Sequence, residues 1–191
     1  MDIVNVGYDS TNYYLLGESD AYLMVDAGWP GTLPKMLNAC KRKDVALEQI
    51  EYLLVTHYHP DHAGLVQELK RAGARLILLE NQRAAVAPMA KHMKPEQHYT
   101  EIDLRDNIDL SLAQSRDFLK KIGIVGKIIA TPGHSDDSVS LVLDEGLAFT
   151  GDLGPDLNGS PDDETHKSWQ RIRALGVKTV YPAHGPPRHL E

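Results

Sequence analysis

The segment YLLVTHYHPDHAGL, residues 52–65, places three histidines and an aspartate directly after an apolar run. His57 and His59 are two positions apart, so their side chains project to the same side of an extended backbone. A proline then turns the chain toward a helix, and this turn aims Asp61 and His62 in a different direction. Two pairs of ligand-type side chains that face one space can hold two metal ions. Taken alone, the segment also fits a single ion or a polar turn that binds nothing.

Three more strand-like segments end in a residue of ligand type. KIIATPGH ends at His134, LAFTGD at Asp152 and KTVYPAH at His184. Each follows an apolar run beside glycine or proline, where a side chain leaves a sheet for a loop. Imidazole nitrogens and carboxylate oxygens are ligands that suit zinc, iron or manganese. These positions predict a catalytic metal site with an open coordination position.

Such ligands need a scaffold whose strands end at one edge. Short apolar runs with β-rich composition alternate with segments of helical period along the chain, which predicts one α/β domain over residues 1–191. The predicted helices are GTLPKMLNACKRKD, AGLVQELKRAG, SRDFLKKIG and SPDDETHKSWQRIRALG. Thr32, Ser115 and Ser160 are predicted to cap three of them. Leu37 and Cys40 are predicted to face the core from the first helix.

Composition narrows the possible partners. The formal net charge is -7, the opposite of the balance that nucleic-acid-binding proteins usually show, so no nucleic acid is expected as a partner. The start MDIVNVGYDS lacks the basic and apolar regions of a signal peptide, and no apolar run approaches the about 20 residues of a membrane span. We therefore expect a cytoplasmic protein that acts on a small molecule without membrane contact.

The sequence resembles the metallo-β-lactamase-fold hydrolase superfamily. HYHPDH matches the H-x-H-x-D-H signature, the later histidine, aspartate and histidine follow in the family's order, and VDAG around Asp26 matches an early motif. The resemblance covers residues 12–185. It implies a four-layer αβ/βα sandwich with the metals at one edge between two sheets.

The resemblance also implies roles for single residues. The ligands would form two sets and a bridge: His57, His59 and His134; Asp61, His62 and His184; and Asp152. Two divalent ions are expected, zinc foremost, with iron or manganese as alternatives. Their shared hydroxide would attack the carbonyl of an ester, thioester or lactone. Asp61 would accept a hydrogen bond from the nucleophile or pass a proton to the leaving group, so Asp61 and Asp152 are the predicted catalytic residues.

Departures from related enzymes favour some activities over others. Class B β-lactamases have a cysteine or serine at the position of Asp152, and acyl-homoserine lactonases have a tyrosine at the position of Pro155. Glyoxalase II enzymes share the metal set but continue into a helical part, whereas seven residues follow His184 here. A hydrolase of an ester, thioester or lactone is favoured. A phosphodiester hydrolase and a persulfide dioxygenase-like oxidoreductase with one iron are the alternatives.

Residues around the ligands are given supporting roles. Asp26 and Thr56 are predicted to lie behind the ligands, with Asp26 fixing the loop under the motif. Tyr58, inside the motif, and Trp29, in the loop after Asp26, are predicted substrate contacts. Residues 81–107 lack a clean period and gather positive charge, so they are predicted to shape the substrate entrance. The alternative for that segment is a solvated cover packed away from the metals.

Overall fold

The structure is a computed structural model that describes residues 1–18, 20–156, 160 and 162–190. Within these residues the strands are β1 (Asp2–Asn5), β2 (Tyr14–Glu18), β3 (Ala21–Val25), β4 (Ile50–Leu54), β5 (Arg75–Leu79), β6 (Ile108–Leu110), β7 (Gly126–Ala130), β8 (Val139–Leu143), β9 (Leu147–Gly151), β10 (Thr179–Pro182) and β11 (Arg188–His189). The α-helices are α1 (Leu33–Lys41), α2 (Pro60–Ala63), α3 (Val66–Arg71), α4 (Arg83–Met89), α5 (Ser115–Lys121) and α6 (Glu164–Ala174).

The strands form two mixed sheets. In the first sheet, strands β1 to β6 lie in chain order, antiparallel from β1 to β3 and parallel from β3 to β6. The second sheet has the order β11-β10-β9-β8-β7, and β9 and β10 run parallel. Parallel neighbours end at the same edge of a sheet. The chain therefore leaves β3 and β4 side by side in the first sheet, and β9 and β10 side by side in the second.

Three apolar cores separate four layers. The first core lies between the first sheet and helices α1, α3 and α4, and it includes Met24, Leu53, Leu76, Met36, Leu69 and Val86. The second core lies between the two sheets and includes Leu23, Leu54, Ile77, Ile128, Leu141 and Phe149. The third core lies between the second sheet and α6 and includes Val142, Ala148, Val180, Trp169 and Ile172.

Successive strand residues alternate between these cores, as the period of two requires. In β4, Leu53 faces the first core and Leu54 the second. In β8, Leu141 faces the second core and Val142 the third. Both faces of each central strand are buried, which explains why these strands appear in the sequence as unbroken apolar runs. The arrangement is the predicted four-layer αβ/βα sandwich.

Helix starts differ from the predictions. Helix α6 begins at Glu164, and its cap is Asp163, whose carboxylate accepts the Thr165 N–H at 2.9 Å; Ser160 lies upstream of the helix. Thr32 does precede α1, but its hydroxyl donates to the Trp29 carbonyl at 2.6 Å instead of accepting a helical N–H.

Two predicted orientations are also wrong. Ser115 lies inside α5, where its hydroxyl accepts the Ile128 N–H at 3.1 Å, because the outer edge of β7 needs a partner for that donor. Leu37 is 41% exposed, and α1 instead buries Met36 and Cys40. Among the described residues, no helix combines the length and the apolar character that a membrane crossing requires.

Candidate metal centre

The seven predicted ligands come from five places along the chain and from both sheets. The loop after β4 supplies His57 and His59, and helix α2 supplies Asp61 and His62. The second sheet supplies the others from the ends of β7, β9 and β10: His134, Asp152 and His184. The two sheets are joined at this edge because the Val139 N–H donates to the Thr56 carbonyl at 2.8 Å.

The ligand atoms form two groups. The first group is His57, His59 and His134, and the second is Asp61, His62, Asp152 and His184. Within each group the ligand atoms all lie within 4.8 Å of one another.

The first group presents three imidazole nitrogens to one point. His59 Nδ1 lies 3.0 Å from His57 Nε2 and 3.0 Å from His134 Nε2. Burial lowers the pKa of His57 well below its usual value and also lowers the pKa of His59. Both rings are therefore neutral at pH 7, which is the form that binds a metal.

The second group combines two imidazoles with two carboxylates. Asp61 Oδ2 lies 3.4 Å from both His62 Nε2 and His184 Nε2. Asp152 Oδ1 lies 3.3 Å from the same two nitrogens. Burial alone would raise the pKa of each carboxyl, but the neighbouring histidines, His62 above all, lower it, so both aspartates are ionised.

Asp152 faces both groups. Its Oδ1 belongs to the second group, while its Oδ2 lies 3.6 Å from His134 Nε2 and 4.0 Å from His57 Nε2. The side chain is 15% exposed. One carboxylate thus offers one oxygen to each group of nitrogens.

The donor set fits divalent ions. Ligand atoms bound tetrahedrally at zinc distances lie about 3.3–3.4 Å apart, and the spacings in the second group are 3.3 and 3.4 Å. His62 Nε2 and Asp152 Oδ1 are buried 3.3 Å apart, and among the described residues neither atom has a hydrogen bond of good geometry. Buried polar atoms of this kind are costly unless something binds them. The cluster therefore supports divalent metal binding.

Asp26 and Thr56 lie behind both groups. Asp26 Oδ1 accepts the Thr56 N–H at 2.7 Å, and Asp26 Oδ2 accepts the Nδ1–H of His62 at 2.9 Å. The Thr56 hydroxyl lies 3.0 Å from both Asp26 oxygens and 3.2 Å from His57 Nδ1. One buried carboxylate therefore orients His62 directly and His57 through Thr56, leaving each Nε2 turned toward the ligand cluster.

The comparisons with known proteins agree with this geometry. The model of the family described as "Metallo-beta-lactamase superfamily" matches residues 6–184. The chain belongs to this superfamily. A Beta-lactamase-like protein 2 homolog of Caenorhabditis elegans is 31% identical over 185 residues, covering 92% of this chain and 56% of the relative. An Atrochrysone carboxyl ACP thioesterase of Aspergillus fumigatus is 31% identical over 179 residues, covering 92% of this chain and 50% of the relative.

A solved structure confirms the fold. A metallo-beta-lactamase family protein from Thermus thermophilus superposes with a TM-score of 0.75 at 20% identity, covering 98% of this chain and 74% of that chain. The chain spans about half the length of the curated relatives it matches. The single-domain organisation over residues 1–191 therefore stays a prediction.

In this metallo-beta-lactamase superfamily member, a cavity of about 290 Å³ opens in front of the ligands. We call it the front cavity. Its lining includes three ligands and three wall residues: His134, Asp152, His184, Leu153, Pro155 and Arg188. Among the described residues that line it, none belongs to residues 81–107. That segment instead contributes Val86 and Ile102 to the first core.

The two predicted substrate contacts, Tyr58 and Trp29, differ in their burial. Tyr58 is only 3% exposed and packs in the first core, because His57 and His59 point one way and the residue between them points the other. Its burial is contrary to the predicted contact. Trp29 is half-buried in the loop after Asp26, and its predicted role stays a prediction.

The loop between β1 and β2 supports His184, and the sequence reasoning did not predict this support. The Nδ1–H of His184 donates to the Ser10 carbonyl at 2.6 Å, so Nε2 is left for the second group. Asn12 donates to the Pro182 and Gly185 carbonyls at 3.0 and 2.8 Å and holds the chain on either side of His184. These contacts join residues more than 160 positions apart, and no local pattern signals them.

Proposed function

We propose that the chain is a dinuclear metal-dependent hydrolase that cleaves an ester, thioester or lactone carbonyl. The observation that carries the proposal is Asp152, whose two oxygens face two separate groups of imidazole nitrogens at 3.3 and 3.6 Å. A site for one ion would use the three histidines of the first group and leave the ligand-type side chains of the second group without a metal. This argues against the alternative with a single iron.

Bound divalent ions supply Lewis acidity and lower the pKa of water toward neutrality. The protein's own residues would hold these ions and orient the reacting groups. Neutral His57 and His59 give nitrogen lone pairs without first losing a proton. Ionised Asp61 presents Oδ2 to the second group, and we assign its other oxygen to taking a proton and delivering it to the leaving group. Asp152 keeps both groups at a fixed separation.

The substrate side of the proposal rests on the cavity and on one relative. The front cavity of about 290 Å³ suits a small acyl group, and its wall combines apolar residues such as Leu153 with few polar groups. The Aspergillus fumigatus relative is named as a thioesterase of an acyl carrier protein. A thioester is therefore the first substrate class to test for this chain.

The test begins with metal content. Elemental analysis of the zinc- or manganese-saturated protein is expected to give two ions per chain, and H184A is expected to retain fewer. H98N is the matched control, because His98 lies outside both groups and asparagine tolerates its positive φ of 51°. One tightly held ion in the saturated protein would contradict a dinuclear site.

Activity is then compared across a panel of a thioester, an ester, a lactone and a bis-aryl phosphodiester, with oxygen consumption followed on a persulfide. We expect turnover of a carbonyl substrate that is lost in H184A and kept in H98N. Preferred cleavage of the phosphodiester, or oxygen uptake with the persulfide, would refute the carbonyl hydrolase.

A further inference from the structure

Arg188 brings a guanidinium group to the wall of the front cavity. Apart from the metal ligands, the described lining of that cavity consists of glycine, proline and leucine residues and this one charged side chain. The chain as a whole has a net charge of -7. A single cation at the mouth of an otherwise apolar wall is the kind of group that recognises one polar feature of a substrate.

The backbone fixes where the Arg188 side chain points. Arg188 lies in β11 directly opposite Val180 of β10, and residues that pair across antiparallel strands share a face of the sheet. Val180 is buried in the third core beside Trp169, so Arg188 also lies on the α6 side of the sheet. Its guanidinium carbon is 5.8 Å from the centre of the Trp169 ring, within the range of a cation–π contact.

Within the described part of the chain, no acceptor takes up the side-chain hydrogen-bond donors of Arg188. No carboxylate of the described residues forms an ion pair with it, whereas its neighbour Arg173, on the same indole ring, pairs with Asp156 at 2.8 Å. A guanidinium has five N–H donors in a planar fork that matches a carboxylate or a phosphate. The Trp169 face restrains this fork without using any of its donors.

Arg188 also lines a second cavity. It measures about 200 Å³ and shares Pro155 and Arg188 with the front cavity. Its lining also includes Trp169 and the paired Asp156 and Arg173. Arg188 therefore lines both the space in front of the ligands and a second space that no ligand lines. A substrate whose scissile carbonyl lies at the ligands would carry its distal part past this side chain.

We propose that Arg188 binds an oxyanion, a carboxylate or a phosphate, that the substrate carries away from its scissile carbonyl. The inference rests on the proposed hydrolase function and names its substrate class as anionic acyl compounds. An anion that enters an acidic protein gains little unless a cation meets it, and arginine does so through two parallel hydrogen bonds that lysine cannot reproduce.

The experiment compares three thioesters that differ only at the distal end: a carboxylate, a phosphate and a neutral amide. In R188Q, kcat/KM should fall about 10-fold or more for the anionic thioesters, mainly through KM, and stay unchanged for the neutral one. R188K should lie between R188Q and wild type. R116Q is the matched control, since it removes an equal charge from Arg116, which pairs with Asp144 at 2.7 Å outside the front cavity.

A binding measurement separates this inference from the hydrolase proposal. Inert thioether analogues of the carboxylate and amide substrates are titrated into metal-saturated wild type and R188Q by calorimetry. If the carboxylate analogue binds more tightly to wild type and this preference disappears in R188Q, the role of Arg188 is supported. This holds even where no thioester is hydrolysed, a result that would count only against thioester hydrolysis. Equal binding of both analogues by wild type, or equal kinetic effects of R188Q on neutral and anionic thioesters, would overturn the role of Arg188 and leave the hydrolase standing. The anionic thioester that loses more kcat/KM in R188Q identifies whether Arg188 prefers a carboxylate or a phosphate.

Discussion

Replacing Asp26 with asparagine should weaken one metal site and spare the other. Asp26 is 3% exposed and has a positive φ of 64°, a conformation that asparagine also tolerates, so the substitution preserves shape and backbone. The Thr56 N–H can only donate, so the amide oxygen of the introduced side chain must take the place of Oδ1. The amide nitrogen then occupies the position of Oδ2, 2.9 Å from His62 Nδ1.

This exchange changes which ring nitrogen of His62 carries a proton, and it does not affect His57. An amide nitrogen only donates, so His62 Nδ1 must become an acceptor, and the ring is left with its proton on Nε2, the atom that faces Asp61 and Asp152. The Thr56 hydroxyl lies 3.0 Å from both carboxylate oxygens of Asp26, so in the variant it keeps its bond at the Oδ1 position and its contact with His57.

Loss of such a supporting hydrogen bond typically costs about 10–100-fold in metal affinity, or roughly 1.4–2.7 kcal/mol. Competition with a chromophoric chelator should show this loss for one of two zinc ions and near-wild-type affinity for the other. Nitrogen-15 NMR of the metal-free protein should show the Nε2–H tautomer at His62 in D26N.

The matched control is D137N. Asp137 is also buried, and its carboxylate accepts the Tyr58 N–H at 2.8 Å, but it forms no hydrogen bond to a histidine ring among the described residues. Both zinc affinities should remain at the wild-type value in this variant. An equal loss at both sites in D26N, or a His62 that keeps its Nδ1 proton, would refute the reasoning.

Three further predictions follow from single contacts. D152A should lower turnover roughly 10²–10³-fold, the scale of a key electrostatic group, and loosen both ions; two ions held at near-full turnover would refute the shared carboxylate. G151A should destabilise the protein in chemical denaturation beyond the roughly 1 kcal/mol cost of a left-handed alanine, because its Cβ would lie 2.8 Å from Thr56 Cβ. G123A, with a φ of 81° and no described atom within 4 Å of its added Cβ, isolates the backbone cost, and equal losses would contradict the clash. Cys40, whose pKa burial raises to about 11, should have only about 0.1% thiolate at pH 8 and react with thiol reagents only after unfolding; fast reaction of the native protein would contradict its burial.

The fold was accessible from the sequence because its signals are local. Strands buried on both faces give short unbroken apolar runs, and the superfamily motifs fix their order, so the four-layer sandwich was predicted and is confirmed. Helix details were less accessible. Ser115 fits the residue preference of a cap, yet its hydroxyl serves the edge of β7, a partner that the helix sequence alone does not reveal.

The ligands of the site could be predicted from the sequence, but the residues that support them could not. Histidine and aspartate at the ends of apolar runs identify which side chains can act as ligands, and the structure brings all seven into two groups. The residues that the sequence missed contact the site from far along the chain. Ser10 acts through its carbonyl, which any residue possesses, and Arg188 reaches the front cavity only because β11 folds back on β10. The entrance role predicted for residues 81–107 from their positive charge stays a prediction, and Arg83 in that segment pairs with Asp109.

Metal binding and the packing of the two sheets are linked by the origin of the ligands. The first group takes His57 and His59 from the first sheet and His134 from the second, and the other group is likewise drawn from both. Neither sheet alone offers three ligands to the first group or four to the second. An ion can therefore bind fully only when the sheets are docked, and ion binding must stabilise that docking in return. Ions present at about a thousandfold excess over their dissociation constant would contribute about 4 kcal/mol each. That is comparable to a large part of the stability of a domain. The edge where Thr56 and Val139 join the sheets is thus both the proposed catalytic site and the place where a bound metal would stabilise the fold.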